Sequence, residues 1–419
     1  MTGPTGDRTV IVGGGIIGIA CAHYLAEAGH AVTVVDRATI GSGSSHGNLG
    51  FICPSRVLPM NEPSAIREGL ASLFNRRAAF RVKPQLRLDL YRWMAEFARR
   101  CTHGRMIEAG RDLQPLLALS MQEYLELFEV LPSDTEWKHS GLAFAFRSQA
   151  ALDGFVETDT LLTDTYGITA SRIEAADLPA FDPALRDDLA GAFIYRGDGF
   201  VRPESLIQTW QSHLTDQGVE FWEDCPVADV HTENGRVVGL DTVRGELKAD
   251  HYVFATGAWS PEFGSQLGCR IPIEPGKGYS VTMNRPSVCP THPMLFPEHH
   301  IAMSPYADGY RIGSMMEFVG YDTSIPEHRI TQLTESAAHY LKEPTGSETF
   351  ETWYGWRPMT WDSLPIIGRS PGLDNAVLAT GHNMLGIALA AGTGRLISEL
   401  VSERPSGIDI SAFSANRFR

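Results

Sequence analysis

The run TVIV (residues 9 to 12) ends at Gly13-Gly14-Gly15-Ile16-Ile17-Gly18, and apolar residues then recur at roughly helical spacing through Ile19, Leu25 and Ala28. This order predicts a strand, a glycine turn and a helix. Gly29-His30 closes the helix, AVTVV supplies a second strand, and Asp36 stands at its carboxyl end, 18 residues beyond Gly18. Gly13 permits the tight turn, Gly15 lets a pyrophosphate approach the backbone, and Gly18 lets helix and strand pack closely. The phosphates would meet unsatisfied N–H groups at the helix amino end, and Asp36 would accept from ribose hydroxyls. The expected fold class is therefore α/β with a Rossmann-like domain. The fingerprint fits FAD and NAD alike.

Composition narrows the classes of function. The 419 residues allow two to four domains at ~100 to 200 residues each. With 43% apolar and 20% charged residues, wholesale disorder is excluded. The 35 Lys plus Arg against 50 Asp plus Glu give a charge of −15, which repels phosphate backbones and argues against a nucleic-acid partner. Six cysteines form no C-x-x-C pair and no Cys/His cluster at zinc spacing, so reduced thiols and no metal are expected. The opening MTGPTGDRTV lacks a basic segment followed by an apolar one, and no stretch approaches ~18 uninterrupted apolar residues. These features predict a cytoplasmic protein with at most peripheral membrane contact.

A second loop, GSGSSHGNLG (41 to 50), holds four Gly and three Ser in ten residues and can wrap a ligand. Further along come GDGFVRPESLIQTW (197 to 210), VFATGAWS (253 to 260), GKGYS (276 to 280) and YRIGSMMEF (310 to 318). WRPMTWDSLPIIGR and ATGHNMLGIALAAGTGRLISEL follow between 356 and 400. In this order and spacing the chain resembles, over nearly its whole length, the FAD-dependent amino-acid oxidoreductases, the family of D-amino-acid oxidase, glycine oxidase and sarcosine oxidase. GNLGFICPSRVLPM and IDISAFSANRF look closest to bacterial D-amino-acid and hydroxy-D-proline dehydrogenases. Much of that family has Glu where this chain has Asp36.

The resemblance implies non-covalent FAD held by Gly13, Gly15, Ile16, Ile17, Gly18, Asp36 and Arg37, and by Ser44, Ser45, Gly47 and Asn48 of the second loop. Val227, Thr256, Gly257 and the segment Gly381, His382, Met384, Leu385, Gly386 complete the expected cofactor set. A discontinuous FAD domain (1–55, 190–268, 355–419) would alternate with an α+β substrate domain (56–189, 269–354) whose antiparallel sheet covers the flavin. The implied reaction is oxidation of an amino acid, a D-amino acid or a cyclic D-imino acid such as a proline derivative. A hydride passes from Cα to flavin N5, and the imine hydrolyses to a 2-oxo acid. The acceptor is quinone or oxygen.

An amino acid is oriented by a cation on its carboxylate, and the planar fork of arginine suits that task. Arg311 in YRIGSMMEF resembles the strand that supplies the family's carboxylate-binding arginine, and Arg357 in WRPMT matches another near the flavin edge. Tyr279 is the candidate hydroxyl donor to the carboxylate, and His46 and His382 the candidate titrating groups by the ring. Cys53 lies close enough to the loop to raise covalent attachment, although a free buried thiol is the ordinary reading. Trp353, Tyr354 and Trp356 are candidate pocket walls. Three other functions share parts of this pattern: a glycine or sarcosine oxidase releasing peroxide, an NAD-dependent dehydrogenase, and a flavin-holding subunit without catalysis. Residues 74 to 105 hold nine Lys or Arg against Asp89 and Glu96, a basic island that is either a solvated face or a docking site for an anionic membrane.

Overall fold

A computed structural model describes residues 6–72 and 78–418. Strand Arg8–Val12 lies inside a six-stranded sheet, parallel to Ala31–Val35 on one side and His251–Phe254 on the other. Glu220–Trp222 and Ala376–Thr380 extend the parallel array, and Ile366–Arg369 closes one edge antiparallel. Strands covered on both faces read as continuous apolar runs, and Ile11, Val34, Val253 and Leu378 are each 0% exposed.

Helix Ile16–Glu27 follows the glycine turn, and helix Gly386–Val401 packs between it and helix His103–Val130. The last of these starts where the Thr102 hydroxyl accepts from the Arg105 N–H. Gly386–Val401 is apolar nearly all round, as a helix enclosed by others must be. Its glycines allow the close approach: a Cβ on Gly394 would lie 2.5 Å from the Ala20 carbonyl oxygen.

Local signals hold elsewhere. Pro203 and Glu204 open helix Pro203–Asp216, and Asn234 and Gly235, at φ 49 and 76, turn the hairpin between Val227–Glu233 and Arg236–Thr242.

The second large sheet is mixed. Ile273–Asn284 runs antiparallel between Gly309–Phe318 and Thr349–Thr360, and the sheet continues through Ile301–Pro305 and Met294–Phe296 to Leu142–Phe146, Gly191–Tyr195 and Ser171–Glu174. Two expected boundaries shift. Gly191–Tyr195, placed by the sequence reading on the cofactor side of residue 190, pairs into this second sheet, and Thr349–Thr360 runs unbroken across the division at 355. Strand Gly309–Phe318 bulges where the pairing jumps from Tyr279↔Ser314 to Lys277↔Glu317, and Met315 takes φ 64, unusual for a side-chain-bearing residue. Among the described residues no helix is long and apolar enough to cross a membrane.

Candidate active site

A cavity of about 460 Å³ opens at the carboxyl ends of the parallel strands, against the second sheet. Its floor is the glycine turn. Gly13 has φ 106, and a Cβ there would lie 2.5 Å from the Ala255 carbonyl oxygen. Gly15, Ile16 and Ile17 line the cavity, whereas Gly18 lies beneath, where a Cβ would overlap the Gly13 carbonyl. Asp36 also lines it, and its carboxylate accepts from the Gly14 N–H at 2.7 Å and the Ala38 N–H at 2.9 Å. Burial pushes the Asp36 pKa up.

Two helices aim their amino ends into this space. Neither Ile16–Glu27 nor Gly386–Val401 has a side-chain cap at its N-cap residue or an acid in its first turn, so backbone donors are offered to an anion. Arg37, Val227, Thr256, Gly257, His382, Met384 and Gly386 line the cavity, while Gly381 and Leu385 stand behind it. His382 is 2% exposed, pairs with Thr393 at 3.0 Å, and is held neutral by a pKa pushed down to about 3. Cys53 is buried outside the lining. Cys21, Cys53, Cys101, Cys225 and Cys289 are free thiols.

The second sheet grips the glycine-serine loop. The Ser44 hydroxyl donates to the Trp356 carbonyl, Ser280 to Gly47 at 2.9 Å, and Ser304 to Leu49 at 2.5 Å. Ser44, Ser45 and Asn48 thereby face the cavity, and Ser45 accepts from the Ile16 N–H at 3.2 Å. Gly47 lies behind, covered by the Trp353 indole. His46 points away, to Glu351 at 2.9 Å, and this hydrogen bond raises its pKa.

Arg311 belongs to that grip and does not line the cavity. It is 1% exposed, and its guanidinium pairs with Glu204 at 2.8 Å and donates to the carbonyls of His46 at 3.2 Å and Asn48 at 2.8 Å. Its Nε donates to Thr282 at 2.8 Å. The expectation that Arg311 meets a carboxylate from the cavity is corrected: Glu204 already occupies it. Tyr279 is likewise placed elsewhere, donating to Glu317 at 2.5 Å in a buried group with Arg329.

Arg357 is the arginine that the structure brings to the cavity. Its Nη1 donates to the Met315 carbonyl at 2.6 Å, a carbonyl turned toward it by the bulge, and among the described residues no carboxylate pairs with it. Burial lowers its pKa to about 10. Trp353, Tyr354 and Trp356 line the same region, as does Trp259, which the sequence reading did not single out. Its signal lay in GAWS, directly after the glycine that touches the cavity. Trp259 stacks under Arg37 at 5.1 Å and meets Trp356 edge-on at 5.4 Å.

Glycine turn, Asp36, two helix amino ends and a wrapping loop together suit an extended dinucleotide. Solved structures share the fold: glycine oxidase from Geobacillus kaustophilus (24% identity, TM-score 0.76, covering 98% of this chain and 99% of that one) and L-proline dehydrogenase from P. horikoshii (20%, 0.70, 99% and 98%). Among curated proteins, a D-amino acid dehydrogenase of Methylobacterium sp. (strain 4-46) is 31% identical, covering 98% of this chain and 99% of its own. One from Vibrio vulnificus (strain CMCP6) is 29% identical over 97% of this chain and 100% of its own. The family described as FAD dependent oxidoreductase (DAO) matches residues 8–400, and the chain belongs to this family of flavoenzymes.

Proposed function

We propose that the protein oxidises the Cα–N bond of a D-amino acid to an imine, which water hydrolyses to a 2-oxo acid and ammonia; a cyclic secondary amine would leave a cyclic imine. The observation that carries this reading is Arg357. Arg311 has Glu204 and Arg329 has Glu317, while Arg357, partly exposed where it opens onto the cavity, has carbonyl and sulfur partners and no carboxylate among the described residues. A desolvated cation without a counter-ion is costly, so the site favours an anionic ligand, and a carboxylate fits the guanidinium fork. The relatives named D-amino acid dehydrogenase support the D configuration.

FAD, when bound, supplies the oxidant for the α-hydrogen and its electron pair. The chain supplies orientation. The one carboxylate lining the cavity, Asp36, already accepts two backbone N–H groups, and His382 is neutral and hydrogen-bonded. Among the described residues lining the cavity the substrate amine therefore meets no unengaged carboxylate or imidazole, and it reacts as the free amine.

The test is an anaerobic visible spectrum of the flavoprotein titrated with D-amino acids, D- and L-proline derivatives, glycine and sarcosine. Bands near ~450 nm should bleach with a D-amino or D-imino acid and recolour slowly in air, as for an enzyme that reduces quinone. Rapid recolouring with peroxide would replace this reading by an oxidase, and a flavoprotein that no member bleaches would replace it by a flavin-holding subunit.

Transfer to a membrane quinone requires a face that meets a bilayer. We propose the stretch around Lys83–Arg92 for it, because Leu86 is fully exposed and Leu88 is 82% exposed, with Lys83, Tyr91 and Arg92 beside them. The start of the basic island, residues 74–77, lies outside the described residues.

A further inference from the structure

We infer that the Trp353 indole sets the size of the side chain this enzyme accepts, working beside Arg357 on a shelf of glycines. The inference rests on the reading of Arg357 as the carboxylate ligand.

Gly355 and Gly278 stand opposite each other in the antiparallel pair of Thr349–Thr360 and Ile273–Asn284. A Cβ on Gly355 would overlap the outer edge of the Trp353 indole, at Cη2 and Cζ2. One on Gly278 would overlap the Arg357 guanidinium, at Nη1 and Cζ. Directly opposed residues lie ~4.5 to 5.5 Å apart, so indole edge and guanidinium rest on neighbouring platforms of one sheet face. A third glycine bounds the indole on the loop side, since a Cβ on Gly47 would overlap its Cδ2 and Cε3. The indole is thus held flat between the sheet and the loop that wraps the cofactor, with its rim turned toward Arg357.

Arg357 and Trp353 both line the cavity. In an α-amino acid the side chain leaves the carbon next to the carboxylate, so a carboxylate on Arg357 puts the side chain within a few ångströms of this shelf. The indole offers an apolar surface and a fixed limit. The acid that precedes it on the same face, Glu351, is turned to His46 and Arg311 and offers nothing to a charged side chain. The substrate class that fits is a small uncharged side chain. A bulky aromatic group meets the indole rim.

The test compares kcat/KM for D-alanine, D-valine and D-phenylalanine in the parent, Trp353→Phe and Trp353→Leu. One methylene of room in an apolar pocket is worth roughly 10- to 200-fold in selectivity. The expected result is a rise of at least about tenfold in the phenylalanine-to-alanine ratio for Trp353→Leu and a smaller rise for Trp353→Phe, with FAD content unchanged. Trp353→Phe keeps a flat ring on the Gly355 platform and guards against a folding failure in the other variant. An unchanged ratio in both variants, or a parent that already prefers D-phenylalanine, overturns the inference. Arg357→Lys separates it from its premise: unaltered KM for every amino acid removes the carboxylate assignment, whereas raised KM with an unmoved size ratio removes only the role of Trp353.

Discussion

Arg311 and Arg357 approach the same loop and cavity from one sheet, and their partners give them opposite consequences when removed. Replacing Arg311 by Met takes from Glu204 its buried cation, leaving it Arg202 at 2.9 Å, and frees the carbonyls of His46 and Asn48. Breaking such a buried pair costs on the order of 3 kcal/mol, so R311M should lower the melting temperature and shed FAD. R357M removes a cation that pairs with no carboxylate among the described residues. Its melting temperature should match or exceed the parent's, with FAD retained and the KM for amino acids raised more than tenfold. Thermal melts, bound-flavin absorbance and steady-state kinetics on both variants check this, and a parallel loss in the two would defeat the assignment. The sequence displayed both arginines but not their roles. Glu204 stands at the start of a helix 107 residues before Arg311, and no strand alternation reveals that separation closing to a contact.

Elements whose form depends on neighbours in sequence were legible; elements whose place depends on distant partners were not. The glycine turn, the Asn234-Gly235 hairpin and the Pro203 helix start each follow from backbone preferences of the residues themselves. Strand Gly191–Tyr195 joins the second sheet by pairing with Leu142–Phe146, which nothing in GAFIY announces. The turn after it shows a further hidden tie. Asp198 is 1% exposed and accepts from the Ser55 N–H at 3.0 Å and the Ser55 hydroxyl at 2.5 Å, fastening the chain leaving the cofactor loop to this turn. Burial raises its pKa to about 7 from the usual 3.8. Between those values the folded protein binds a proton the unfolded chain lacks, so this group's contribution to stability falls as pH rises through the window. Asp198→Asn mimics the neutral form and can keep both Ser55 contacts. Its melting temperature relative to the parent should climb from about pH 4 to about pH 7 and then level off. A difference that does not vary with pH, measured in matched buffers, would rule this out.

At the scale of the molecule, charge and shape combine at one face. The chain carries −15 overall, yet its basic island spans residues 74 to 105, and the composition reading could not say which of those charges are free to act. Several are spent internally: Arg81 pairs with Glu317, Arg87 with Glu274 and Asp89, and Arg99 and Arg100 with Glu96. What composition did not show at all is that Leu86 and Leu88 project into solvent from the same stretch, flanked by Lys83 and Arg92. Each basic residue near an anionic bilayer is worth about 1 kcal/mol, and each buried leucine about 1.5 to 3 kcal/mol. The acidic remainder is repelled, so binding through this face also orients the molecule. The FAD-loaded protein should therefore sediment with phosphatidylserine-containing vesicles at low salt and leave them only in part at high salt, because the leucine contribution is not screened. A Leu86→Asp, Leu88→Asp double variant should stay in the supernatant while reducing an artificial electron acceptor at the parent's rate, since neither side chain lines the cavity. Equal sedimentation of parent and variant, or none by the parent, would place the electron acceptor in solution instead of at a membrane.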